Sequence, residues 1–153
     1  MKKLDVRDLD LSQLMGILRN VDFFSSMTIG EIERVLPYIM LFEYEKGEVV
    51  FKEGDIGDCF YIIREGSVGV TVKRGVLWMK KKLATLESRQ FFGEMALISS
   101  ERRTATITCL EVTQLFALNV KDFKYLIKKN PEFSDEIDRI MNLRKTDTKN
   151  KLN

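Results

Sequence analysis

The stretch from Phe91 to Ile107, FFGEMALISSERRTATI, holds the residue types most suited to chemistry. It carries Gly93 and Glu94 side by side and an arginine, Arg103, nine positions after the glutamate. Gly93 lets the backbone bend where a side chain would obstruct, and Glu94 to Ile98 is long enough for one helical turn whose first amides lack internal partners. Free N–H groups at such a start attract phosphate. Arg103 can place two parallel charge-assisted hydrogen bonds on a singly charged phosphodiester, and Glu94 can accept a hydroxyl proton from the same ligand. Each charged bond contributes roughly 1.5–3 kcal/mol, so micromolar binding, about 8 kcal/mol, also needs contacts with the rest of the ligand.

Composition narrows the setting of such a site. The chain has 153 residues, 44% hydrophobic and 31% charged, as expected of a globular chain the size of one domain. Its 25 basic and 23 acidic residues leave a net charge of +2. That is too little for the broad positive field of a non-specific nucleic-acid binder, so nucleic acid is not an expected partner. The absence of histidine removes histidine-based triads and histidine zinc sites, and the expectation is a binding protein with neither catalytic nor metal-ligating residues. Cys59 and Cys109 sit near Phe60, Tyr61 and Ile107 and read as buried small hydrophobes rather than redox sensors or a disulfide framework, which fits a reducing, cytoplasmic setting. The N-terminal MKKLDVRDLDLSQ has aspartates where a signal peptide needs an apolar core, and no apolar run is long enough for membrane insertion. Lys80, Lys81 and Lys82 beside Trp78 read as guards of an exposed strand edge rather than as a nucleic-acid or lipid patch.

The flanking segments must position Glu94 and Arg103. Leu11, Leu14, Met15 and Leu18 recur at helical spacing behind Asp10, with Gln13 placed to return the cap, and predict a helix over 11–19. Thr28 and Glu31 form a second capping box, with Met27 and Ile32 as its staple, ahead of a helix over 29–36 that ends near Pro37. From 38 to 118 the pattern becomes short runs of Val, Ile, Phe, Tyr and Thr cut by Gly47, Gly54, Gly57, Gly66, Gly69 and Gly75, glycines that argue for turns and fold only. Val68, Val70 and Val72 alternate as in a half-buried strand, and Arg74-Gly75 supplies a hairpin turn. Asn119 caps a helix over 120–129 with Val120, Phe123, Leu126 and Ile127 on one face, and Asn130-Pro131 starts another over 131–144. The stripe Phe133, Ile137, Ile140 and Met141 packs on the barrel, with a homodimer as the alternative; residues 146–153 are polar and expected to be disordered. The whole reads as one α+β domain over 1–145, an antiparallel β-roll of jelly-roll-like kind flanked by N- and C-terminal helices.

FGEMALISSERRTA is similar to the phosphate-binding cassette of cyclic-nucleotide-binding domains, as in protein kinase A regulatory subunits, cyclic-nucleotide-gated channels and the catabolite activator protein. The likeness rests on Phe92, Gly93 and Glu94, the continuation Met95, Ala96 and Leu97, and Arg103 followed by Thr104 and Ala105. Residues 47–70, GEVVFKEGDIGDCFYIIREGSVGV, look like the family's first strands, and the resemblance spans about 20–144. It implies cAMP or cGMP as ligand and no cofactor. Glu94 would hold the ribose 2′-hydroxyl, Arg103 the exocyclic phosphate oxygens, and the region of Gly93, Ala96, Thr104 and Ala105 would add backbone contacts. Thr104, read as a strand residue, resembles the threonine with which cGMP-responsive members hold the guanine amino group; its other reading is strand packing. Arg139, Ile140, Leu143 and Arg144 are the candidates for a lid over the base. The chain departs from the family in having Arg102 beside Arg103, where the nine-residue count selects Arg103, and in having 87–90, ESRQ, in place of a glycine-rich turn. The implied function is a cyclic-nucleotide sensor whose terminal helices move with the ligand and act on a separate effector protein. The alternative is a module of the same fold that binds a protein and no nucleotide.

Overall fold

Two strands that are apolar on both faces organise the molecule. Cys59–Glu65 and Thr113–Asn119 pair antiparallel, and in both the side chains alternate between two cores. Phe60, Ile62, Phe116 and Leu118 point to one core, which they share with the helices; Tyr61, Ile63, Leu115 and Ala117 point to the other, inside the roll. A strand covered on both sides loses the polar alternation of a half-exposed one, which is why these runs read as continuously hydrophobic.

The computed structural model describes residues 1–25, 27–75 and 79–131, with 134, 135, 138, 139 and 142 beyond them. In chain order the elements are β1 (Lys2–Leu4), α1 (Asp8–Leu18), α2 (Asp22–Ser25), α3 (Ile29–Val35), a 3₁₀ turn (Leu36–Tyr38), β2 (Met40–Tyr44), β3 (Val49–Phe51), β4 (Cys59–Glu65), β5 (Ser67–Arg74) and β6 (Met79–Glu87). The chain continues through β7 (Phe91–Phe92), a second 3₁₀ turn (Glu94–Leu97), β8 (Thr106–Cys109), β9 (Thr113–Asn119) and α4 (Val120–Lys129). One sheet has the order β1-β2-β9-β4-β7 and the other β3-β8-β5-β6, all neighbours antiparallel. This is the expected antiparallel roll with flanking helices.

Several elements form as their local signals predict. Thr28 Oγ1 accepts the Glu31 amide at 3.1 Å while Glu31 accepts the Thr28 amide at 2.9 Å, closing the capping box of α3. Asn119 accepts the Lys121 amide at 2.8 Å and starts α4. The β5–β6 hairpin turns after Arg74, with Gly75 at φ 85°. Residues 87–90 close as a tight turn in which Arg89, at φ 75°, takes the left-handed position that a glycine would otherwise fill.

Other expectations are corrected. Helix α1 begins at Asp8, and Asp10 is not its cap but its third residue: its carboxylate accepts the Arg7 amide at 3.0 Å and meets Arg64 Nε at 2.8 Å. Asp10 is only 1% exposed, so its charge serves as the partner of Arg64 on β4 rather than as a surface cap. Burial pushes the Asp10 carboxyl upward, but the Arg7 amide and the Arg64 and Arg7 guanidinium groups outweigh it, and the net shift is down. The side chain of Asn130 donates to the Leu126 carbonyl and accepts from Arg34, closing α4 and tying it to α3, while its own carbonyl accepts the Ser134 amide at 3.2 Å; the amides of residues 132 and 133, which that side chain would cap, lie outside the described residues. Strand β1, pairing with β2, had no signal in so short a polar segment. Helical backbone recurs at 131, 134, 135, 138, 139 and 142. The stripe Phe133, Ile137, Ile140 and Met141, the tail 146–153 and Trp78 lie outside the described residues.

Candidate ligand-binding site

A cavity of about 260 Å³ opens between the Glu94–Leu97 turn, the loop before β8 and strands β3 and β5. It is close to the lower end of the roughly 300–1,000 Å³ of small-molecule pockets. The eight residues singled out by sequence, Phe92, Gly93, Glu94, Met95, Ala96, Arg103, Thr104 and Ala105, all line it. Arg103 stands out among them because it is a cation only 8% exposed.

Three groups hold that guanidinium. Nη2 donates to the Cys59 carbonyl at 2.6 Å, Nη1 to the Gly93 carbonyl at 3.4 Å, and the Phe51 ring lies beneath with its centroid 3.9 Å from Cζ. Phe51 in turn packs on Tyr61 and Phe92, whose rings stack at 5.2 Å, so the cation rests on a rigid aromatic floor. The main chain of Arg103 is fixed as well, its amide donating to the Asp55 carbonyl at 2.7 Å and its carbonyl accepting from Gly54 at 2.8 Å. The carboxylate of Asp58 is 3.6 Å from Nη2, but its side chain is 73% exposed. Nε is buried and makes no hydrogen bond among the described residues. Burial lowers the pKa of Arg103, with Tyr61, Asp58 and Cys59 pulling the other way; an arginine nonetheless remains charged. A largely desolvated cation compensated by carbonyl dipoles, an aromatic face and an exposed carboxylate is a strong attractor for an anion.

Gly93 explains how the turn comes this close. It caps the 3₁₀ turn at φ 79°, and a Cβ built there would lie 2.7 Å from Arg103 Nη1. The turn is also anchored: Ala96 and Leu97 are buried in the helix-side core with Phe123 and Leu126 of α4. Glu94 and Met95 are half-buried at the cavity wall, beside Gly93. Arg102 is exposed and donates to the Gly54 carbonyl at 3.0 Å, so of the two adjacent arginines it is Arg103 whose guanidinium is buried.

Sequence reasoning missed some site residues. Phe51 provides the floor, and Gly57, expected to serve a turn, provides space: a Cβ there would lie 2.9 Å from Ala96 Cβ and 3.5 Å from Arg103 Cζ. Its φ is not left-handed, so closeness rather than turn geometry requires glycine. Thr104 is corrected: it lies exposed in the bend before β8, not in a strand, because β8 begins at Thr106. Of the lid candidates, Arg139 is an exposed helical residue, and Ile140, Leu143 and Arg144 lie outside the described residues. Among the described residues no cluster of side chains is arranged to hold a metal, and no helix is long and apolar enough to cross a membrane.

A β-roll with flanking helices, whose inner turn and buried arginine line one cavity, is the architecture of a single class of domain. The chain belongs to the cyclic nucleotide-binding domain family, whose model matches residues 41–130. The cyclic nucleotide-gated channel alpha-4 of Mus musculus is 32% identical over 124 residues, 77% of this chain and 21% of the channel. The N-terminal domain of a transcriptional regulator from Streptomyces coelicolor superposes with a TM-score of 0.75 at 26% identity, over 87% of this chain and 92% of that one. The cAMP-bound structure of PfPKA-R (141-441) superposes at 0.74 with 29% identity, over 82% of this chain and 44% of that one. The chain spans less than a third of the length of the first curated relatives it matches.

Proposed function

We propose that this chain is a regulatory sensor that binds cAMP or cGMP in the cavity beneath the Glu94–Leu97 turn and performs no catalysis. The observation that carries the reading is the buried Arg103 guanidinium, held by two carbonyls and an aromatic ring with Nε unmatched among the described residues, at the wall of a cavity of about 260 Å³. In this reading the guanidinium grips the exocyclic phosphate oxygens, the region of Gly93, Ala96, Thr104 and Ala105 adds backbone contacts, and Glu94 accepts the ribose 2′-hydroxyl. Phe51, Val70 and Leu86 supply apolar wall for the rest of the ligand.

Coupling to the outside runs through the turn. Ala96 and Leu97 share a core with Phe123 and Leu126, so a ligand that tightens the turn shifts the position of α4 and biases what a separate effector protein meets. Thermal denaturation with increasing cAMP or cGMP tests the proposal. Native-state binding raises the midpoint with the logarithm of nucleotide concentration in the natural protein and not in Arg103→Ala. No response to either nucleotide favours the alternative, a module of this fold that meets only a protein partner.

A further inference from the structure

The β5–β6 hairpin carries charge that the fold does not use. Lys73, Arg74, Lys80, Lys81 and Lys82 crowd its outer half, with no acidic residue between Ser67 and Leu86. Arg74 is met by Glu53 at 3.4 Å, but none of the four lysines takes part in an ion pair among the described residues, and all four are exposed. Lys73 stands directly across from Lys80, and Lys82 across from Thr71 on the same face. Like charges opposite one another weaken a hairpin. Guarding the edge strand β6 would need a single lysine, not a facing pair. Met79, across from Arg74 on the other face of the hairpin and nearer its turn than the lysines, is an exposed apolar side chain at 68%.

We propose that this hairpin docks on an anionic lipid bilayer with its turn end first, Lys73, Lys80 and Lys82 against the headgroups and Met79, nearer the turn, at the acyl boundary. Charge complementarity selects an anionic partner, and the exposed apolar side chain of Met79 at the turn end selects a bilayer over a duplex nucleic acid, which would offer it nothing. Docking leaves the chain peripheral, since no described helix can span a bilayer. It is independent of the nucleotide reading, because none of these four side chains lines the cavity.

Co-sedimentation of the full chain with phosphatidylcholine vesicles, with and without phosphatidylserine, tests this. Binding is expected only to the phosphatidylserine vesicles, falling roughly fivefold for each of Lys80→Gln and Lys82→Gln and fading as salt screens the lysines. Met79→Ser should weaken binding without changing its salt dependence. Thermal midpoints check the fold, and Lys80→Gln should raise its midpoint slightly by relieving the repulsion with Lys73. No binding to either vesicle type, equal binding to both, undiminished binding when Lys80→Gln and Lys82→Gln are combined, or duplex DNA binding that needs the lysines but not Met79, each overturns the proposal.

Discussion

Replacing Gly93 with alanine separates the two things this glycine does. Its φ of 79° is costly for any residue with a Cβ, by about 1–2 kcal/mol, and the new methyl would also sit 2.7 Å from Arg103 Nη1 and 3.3 Å from the Cys59 carbonyl. A contact of 2.7 Å must be relieved by moving the guanidinium, because the Cys59 carbonyl belongs to β4 and cannot retreat. Displacing the guanidinium loses at least one charge-assisted bond to phosphate, roughly 1.5–3 kcal/mol, or about tenfold to a hundredfold in affinity. Gly75 supplies the control: its φ is 85°, yet nothing among the described residues lies within 4 Å of a Cβ there. Gly75→Ala should therefore lose only the backbone component, lowering the midpoint by about 2–8 °C, with cyclic-nucleotide affinity unchanged. Gly93→Ala should lose at least as much stability and also the affinity, measured by calorimetric titration. If both variants bind nucleotide as the natural protein does, the placement of Arg103 against Gly93 is not what shapes the phosphate site.

The buried pair of Asp10 and Arg64 makes a pH-dependent prediction. Arg64→Ala should destabilise by about 2–3 kcal/mol near neutrality, below the roughly 3–5 of a fully buried pair because Arg64 is partly exposed. The folded Asp10 pKa is depressed, so its contribution is present above the unfolded value of about 3.9 and disappears as pH falls through the lower folded value; urea melts of natural protein and variant should converge in that acid range. Burial pushes the Cys59 thiol up to about 11 and the Cys109 thiol upward as well, so a thiol reagent at neutral pH should label neither until denaturant is added, and rapid labelling of the native protein would contradict their core placement.

How much of the molecule is legible in the sequence depends on the range of each signal. Capping at Thr28 and Asn119 is set by neighbours within a few residues, and the structure keeps it; Val68 to Val72 forms the strand its residues suggest, but Gly69 is buried as well because Leu110 covers that face. The cavity wall from Phe92 to Ala105 is legible because its glycine, carboxylate and arginine lie within one short stretch. Phe51 and Gly57 are not, since they come to Arg103 only when β3 and the loop before β4 close over it, about fifty residues away along the chain. Asp10 misleads for the same reason in reverse: its local pattern suits a cap, and the partner that claims the carboxylate, Arg64, is 54 residues distant. Thr104 is itself β-branched and suggests a strand, whereas the main-chain bonds of Arg103 to Asp55 and Gly54 hold the loop there and delay β8 to Thr106.

Paired calorimetric titrations of the natural protein and Arg103→Ala with cAMP and with cGMP probe the phosphate grip itself. The natural protein should bind at least one nucleotide at micromolar or tighter Kd, and the variant should bind it about a hundredfold or more weakly, as the loss of two charge-assisted bonds requires. Indistinguishable isotherms from the two proteins, or no heat from either nucleotide with the natural one, would contradict the account.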